Sequence, residues 1–260
     1  LTAALGLGAM IGILLGLLGG GGSILAMPAL VYGAGLPPAS AVPASLLVVG
    51  VSSASAVLPR IRAGQVRWRI AAVFGGAGAL AAFGGAAINR ALPPQAILIG
   101  FAVLMAVAGG RMLAGDAPAG GACALPGGGV NWRSCLPRSV AAGAAVGALT
   151  GLFGVGGGFL IIPALVLALG LPMTAAVGTS LLIVVVNSAA GFVAHADGAD
   201  LDYTVIGAFT TAAVIGSLAA ARLGRYLDAE RLRRWFAYLV LVVAVFVLAQ
   251  GVLDLVAPVG

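Results

Sequence analysis

The sequence predicts an all-α polytopic membrane protein of two inverted-topology repeats, each with a glycine-rich re-entrant hairpin or broken helix plus three full spans. Three observations carry this prediction. Of 260 residues, 62% are hydrophobic and only 8% charged, whereas roughly a quarter of a soluble domain is charged. A passage recurs: Gly19 to Leu30 reads GGGGSILAMPAL and Gly154 to Leu165 reads GVGGGFLIIPAL, an offset of 135 (154 − 19). The thirteen basic residues are all arginine and gather in a few clusters between apolar segments. Such clusters read as topology signals, and the formal net charge of +6 implies no nucleic-acid partner.

Leu1 to Leu18 is apolar and carries Gly8, Gly12 and Gly16 at four-residue spacing. Small residues so spaced make a flat stripe on which another membrane helix packs closely. Gly143, Gly147 and Gly151 repeat the stripe at the same offset. The glycine cluster comes next. Glycine permits backbone conformations closed to other residues, and the first turn of a following helix points unpaired N–H groups forward, an anion site in outline.

Ile24 to Ala34 is eleven residues long, and as a helix it rises only about 16 Å against a hydrocarbon core of about 30 Å. Its counterpart, Phe159 to Leu169, is equally short. Non-helical backbone in a membrane is tolerated only where protein buries it or it lines a polar cavity, so each pair of segments reads as a hairpin or broken helix. Gly35-Leu36-Pro37 and Gly170-Leu171-Pro172 open spans expected to reach Pro59 and Ala194. Arg69 to Asn89 and Tyr203 to Ala221 make the next pair, and Pro94 to Leu113 and Arg234 to Gln250 the last. The repeats are residues 1–114 and 138–260, joined by a linker, 115–137, rich in Gly, Ala and Pro. Its Cys123 and Cys135 lack a neighbouring histidine or second pair and read as incidental thiols.

Charge sets orientation. Arg60, Arg62, Arg67 and Arg69 crowd the connection after the first proline-led span, whereas the equivalent connection holds His195, Asp197, Asp200 and Asp202. One span later the asymmetry reverses, with Arg90 alone against Arg222, Arg225, Arg231, Arg233 and Arg234. Equivalent loops therefore face opposite sides, with the arginine-rich ones and the linker cytoplasmic and both termini external.

The acidic residues Asp116, Asp197, Asp200, Asp202, Asp228, Glu230 and Asp254 all lie in loops or near segment ends. That argues against a mid-membrane proton relay, a charged cation site and intramembrane hydrolysis, so no enzyme, metal or cofactor is expected. Polar atoms at depth are backbone, hydroxyls and amides. Ser45, Ser52 and Ser53 match Ser180, Asn187 and Ser188, with Thr179 added in the second half. For Ser45, Thr179, Ser180 and Asn187 the alternatives are a ligand shell or interhelical hydrogen bonding. For Gly21, Gly22, Gly156, Gly157 and Gly158 they are amide donors to a ligand or close packing.

The passage GALTGLFGVGGGFLIIPALVLALGLPMTAAVGTSLLIVVVNS and its copy GILLGLLGGGGSILAMPALVYGAGLPPASAVPASLLVVGVSS resemble the signature of the sulfite exporter TauE/SafE family. The first copy departs from the pattern, with Pro43-Ala44 for Gly178-Thr179, and with Gly20 and Ser23 for Val155 and Gly158. The resemblance implies a bacterial-type inner-membrane permease for small anions such as sulfite, sulfonates or related organic anions. The expectation is a carrier that binds its anion near mid-membrane between the glycine turns, Ser45, Thr179, Ser180 and Asn187 completing the shell. A cell interior negative by about 100 mV favours outward movement of one negative charge by about 2.3 kcal/mol, so export needs no coupling carboxylate. An anion channel or a non-transporting scaffold or assembly protein are the alternatives.

Overall fold

In this computed structural model, residues 2–89, 94–114, 132–153, 158–195, 202–224 and 228–256 are described. Described residues form helices and turns in the order α1 (Thr2–Leu18), a 3-10 turn (Gly19–Gly22), α2 (Ser23–Pro28), a π-helical turn (Ala29–Gly33), α3 (Pro38–Arg62), α4 (Trp68–Asn89) and α5 (Pro94–Ala114). Then follow α6 (Trp132–Phe153), α7 (Gly158–Pro163), a second π-helical turn (Ala164–Ala168), α8 (Met173–His195), α9 (Tyr203–Leu223) and α10 (Ala229–Val256). Five of these hold stretches long and apolar enough to cross a membrane, in α3, α6, α8, α9 and α10. The protein is a multi-pass membrane protein.

The repeat reappears in the local structure. Both π-helical turns follow a proline at equivalent positions, and each is followed two residues later by a left-handed glycine, Gly35 at φ +72° and Gly170 at φ +68°. Leu36 N–H then donates to Leu30 O at 3.1 Å, and Leu171 N–H to Leu165 O at 3.0 Å. These are helix C-terminal motifs of the Schellman kind widened by the π turn, with the leucines of each pair buried and proline next to stop the helix. That is the physical content of Gly-Leu-Pro.

Two boundaries and the state of one cysteine differ from the expectation. α3 continues past Pro59 to Arg62, because proline forfeits only its own N–H while Ala63 N–H restores the next bond to Pro59 O at 3.1 Å. Left-handed Gly64 then closes it, with Gln65 N–H donating to Arg60 O at 3.0 Å. α6 begins at Trp132, inside the stretch read as linker, with Pro137 near its start. Cys135 is disulfide-bonded, which corrects its reading as an incidental thiol; Cys123 lies outside the described residues.

The chain packs as two compact units, each drawn from both halves. One comprises 1–72 and 174–228. In it α1 lies against α9 along the glycine stripe: a Cβ on Gly8 would come within 2.6 Å of Phe209 O, and one on Gly12 or Gly16 would strike the backbone of Ala213 or Ser217. Residue numbers rise together in these contacts, so α1 and α9 run parallel. α3 also runs parallel to α9, since Ser217 Oγ donates to Ser52 O at 3.2 Å while Gly224 lies beside Arg60. α1 and α3 therefore point the same way, and the segment between them, α2 with its π turn, returns through the depth that α1 crosses. α8 runs the other way: Gly191 meets Leu46, whereas Gly50 meets Ser188. Helices α3 and α8 are thus sequence counterparts packed antiparallel.

The other unit comprises 73–173 and 229–260. There the glycine stripe of α6 lies on α4, with Gly143 against Phe74 and Gly147 against Gly78. Adding the repeat offset to Phe74 and Gly78 gives Phe209 and Ala213, so the stripe of each half grips the same positions of the other. α5 packs on α10 with Gly109 against Leu241, and Phe101 meets Phe159 edge-on at 5.4 Å.

Candidate functional site

The polar features of the first unit gather where α1, α3 and α9 end. Arg60 is 4% exposed. α3 runs one turn beyond Pro59, and this brings the guanidinium into the protein against the carbonyl end of α1. Nη2 donates to Gly16 O at 2.8 Å and Nη1 to Gln65 Oε1 at 3.4 Å. The negative end of the α1 dipole stabilises this cation in part. Nε is buried without a hydrogen-bond partner, and Arg60 has no carboxylate partner among the described residues. A buried charge with unused donors is a costly arrangement unless a ligand completes it.

Thr179 and Ser180 stand near the same end. Thr179 is fully buried and accepts from Arg67 N–H at 3.1 Å, and Gly178 lies so close to Gln65 that a Cβ would sit 3.1 Å from its carbonyl oxygen. The loop after α3 is therefore clamped between Arg60 and the start of α8. Ser180, fully buried, donates to Val177 O at 2.9 Å and keeps its lone pairs. Higher on α3, the Ser52 and Ser53 hydroxyls are fully buried with no hydrogen-bond partner among the described residues. Ser53 and Arg60 are seven residues apart and share one face of α3. On that face the Ser53 hydroxyl and Arg60 Nε are both buried with no acceptor among the described residues.

The remaining expected residues are distributed differently. Gly21 and Gly22 form the end of the 3-10 turn after α1. A Cβ on Gly22 would come within 2.8 Å of Ile11 O and Leu15 Cγ, so this glycine lets the chain fold back on α1. Ser45 donates to Val42 O at 2.8 Å and lies beside Leu46, at the Gly191 end of the α3–α8 pair. Ser180 stands eleven residues before Gly191 on α8, so the two serines are about 16 Å apart along the helices. The structure does not bring Ser45 and Ser180 together. Asn187 is exposed although it shares a helical face with buried Ser180. Gly158 is buried at the start of α7; Gly156 and Gly157 lie outside the described residues. Asp202 caps α9, accepting from Thr204 N–H at 3.0 Å and Val205 N–H at 3.2 Å, a structural duty.

The sequence does not mark Arg60 for burial, since it is one of four arginines crowding a segment end; the one signal it holds is Arg60 directly after Pro59, with Gly64 placed to stop a helix one turn later.

Comparison with known proteins bears on what this arrangement serves. A family model described as sulfite exporter TauE/SafE matches residues 4–247. Two relatives from Xylella fastidiosa, strains 9a5c and Temecula1 / ATCC 700964, each named "Probable membrane transporter protein", are 35% and 36% identical across 99% of this chain and 98% of theirs. "Probable membrane transporter protein YdhB" of Bacillus subtilis strain 168 is 25% identical over 83% of this chain and 85% of its own. No solved structure matches.

Proposed function

The chain belongs to the sulfite exporter TauE/SafE family of membrane transporters, and from that premise we propose that it carries a small anion, sulfite or a related sulfur-containing or organic anion, by alternating access. The observation that supports the anion most is the buried part of α3, where the Ser52 and Ser53 hydroxyls and Arg60 Nε have no partner, and no carboxylate pairs with Arg60, among the described residues. A cation would find no charged ligand there. An anion would satisfy donors that are otherwise stranded, in low dielectric where charge-assisted hydrogen bonds are strong.

In this reading Arg60 supplies the charge, Ser52 and Ser53 the path through the middle of the unit, and Thr179, Ser180 and the amides of Gly21 and Gly22 the surroundings at the arginine end. Ser45, the sequence counterpart of Ser180, and the amides of Gly156, Gly157 and Gly158, counterparts of Gly21, Gly22 and Ser23, are the repeat-related donors, Ser45 in the first half and the glycines in the second. Asn187 lines the route from an exposed position. The halves are inverted-topology repeats, a reading supported by the antiparallel packing of α3 and α8. By the arginine bias the end bearing Arg60 faces the cytoplasm of a bacterial-type inner membrane. No step requires a cofactor.

The test is flux from proteoliposomes loaded in turn with sulfite, thiosulfate, sulfonates and carboxylates. Saturable efflux of one class, accelerated by the same anion on the far side, is expected. Unsaturable flux without trans-stimulation would indicate a channel, and absence of flux for every anion would indicate a scaffold.

A further inference from the structure

A second cationic feature lies at the same end of the first unit and takes no part in the arrangement around Arg60. A cavity of about 360 Å³ opens there, lined by Leu58, Pro59, Arg62, Leu218 and Arg222. Both arginines are exposed, neither has a hydrogen-bond or ion-pair partner among the described residues, and no acidic side chain lines the cavity. Each guanidinium stands one helical turn beyond a leucine, Arg62 after Leu58 and Arg222 after Leu218. Further back, the same faces expose large apolar side chains, Val51 at 44% and Leu58 at 55% on α3 and Ile215 at 64% on α9.

The apolar span in α3 ends at Arg62 and that in α9 at Leu223. Both arginines therefore stand where hydrocarbon gives way to headgroups. Two like charges lining one cavity, with no acidic residue between them among the described residues, favour a negative occupant. A small dissolved anion would use the guanidiniums and leave the leucines idle. A molecule carrying a phosphate above acyl chains would use both.

We propose that Arg62 and Arg222, with Leu58 and Leu218, hold one acidic phospholipid, its phosphate between the guanidiniums and an acyl chain along the seam of α3 and α9. Neutral phospholipid offers the same chains and a phosphate, but its own cation cancels the attraction. Selectivity for acidic lipid should then come from the two arginines, about fivefold for each and about thirtyfold for the pair.

The experiment uses the full chain in detergent, titrated with phosphatidylglycerol, with phosphatidylcholine of identical chains and with inorganic phosphate. Retained lipid is counted by native mass spectrometry, and thermal stability is followed in parallel. One phosphatidylglycerol should stay bound through delipidation and raise the unfolding temperature, with its preference over phosphatidylcholine lost in R62Q/R222Q and kept in R138Q. Equal retention of the two lipids by the parent protein overturns the proposal. So does stabilisation by inorganic phosphate alone at similar concentrations, which would make the cavity a vestibule for dissolved anions. Should R62Q/R222Q not accumulate, the lipid comparison on the parent protein still decides.

Discussion

Replacing Gly12 and Gly6 by alanine should move stability in opposite directions, although both glycines lie on α1. At Gly12 the new Cβ would strike the backbone of Ala213. Backbone cannot swing aside as a side chain can, so α1 and α9 must separate along the stripe. Overpacking of this kind costs about 1–3 kcal/mol, offset by about 0.5–1 kcal/mol from removing a helical glycine. The net expectation for Gly12→Ala is a loss of about 0–2.5 kcal/mol, toward the upper end because the Cβ would meet backbone. At Gly6 a Cβ would meet nothing within 4 Å, so only the gain of about 0.5–1 kcal/mol remains. Thermal unfolding of the purified variants in one detergent should place Gly12→Ala below the parent and Gly6→Ala at or above it. A Gly12→Ala variant as stable as the parent would refute the parallel packing of α1 on α9 through this stripe.

Gly22→Ala should reduce the amount of folded protein, because its Cβ would meet Ile11 O and Leu15 at 2.8 Å; normal accumulation measured by fluorescence-detected size exclusion would count against the fold-back. Thr179→Val should destabilise by about 1–3 kcal/mol by leaving Arg67 N–H without its acceptor, read as a lower unfolding temperature. A thermal curve matching the parent would mean that the loop after α3 finds another acceptor. Reporter cysteines at exposed Ala63 and at Ala199, in a chain with Cys123 and Cys135 replaced by serine, should label from opposite membrane faces. Labelling from one face would remove the inverted topology.

Much of the architecture was legible because each device leaves a local mark. The stripe of Gly8, Gly12 and Gly16 shows as four-residue spacing, and the short returning segment shows as the eleven residues from Ile24 to Ala34. Gly-Leu-Pro marks a left-handed cap whichever tertiary structure surrounds it. What could not be read was partnership. A duplicated sequence specifies faces but not which copy a face meets, so the packing of Gly178 and Thr179 on the loop after α3, and of each stripe on the other half, came only from the structure. Nor was depth legible for Arg60. Pro59 looked like an end, yet one further turn of helix separates a solvated arginine from a buried one.

If buried, incompletely satisfied Arg60 holds the transported anion, R60Q should bind whichever anion the flux panel selects more weakly than the parent does, measured by isothermal titration of the purified proteins with folded protein matched. Glutamine retains a donor but removes the charge. The bond from Arg60 to Gly16 O is then lost, while the cost of burying an uncompensated cation also disappears, so the fold should change little. Losing a charge-assisted hydrogen bond to the ligand, about 1.5–3 kcal/mol, should weaken binding roughly ten- to a hundredfold. Parent-like affinity in well-folded R60Q would contradict this role and leave Arg60 as a tie between α1 and α3.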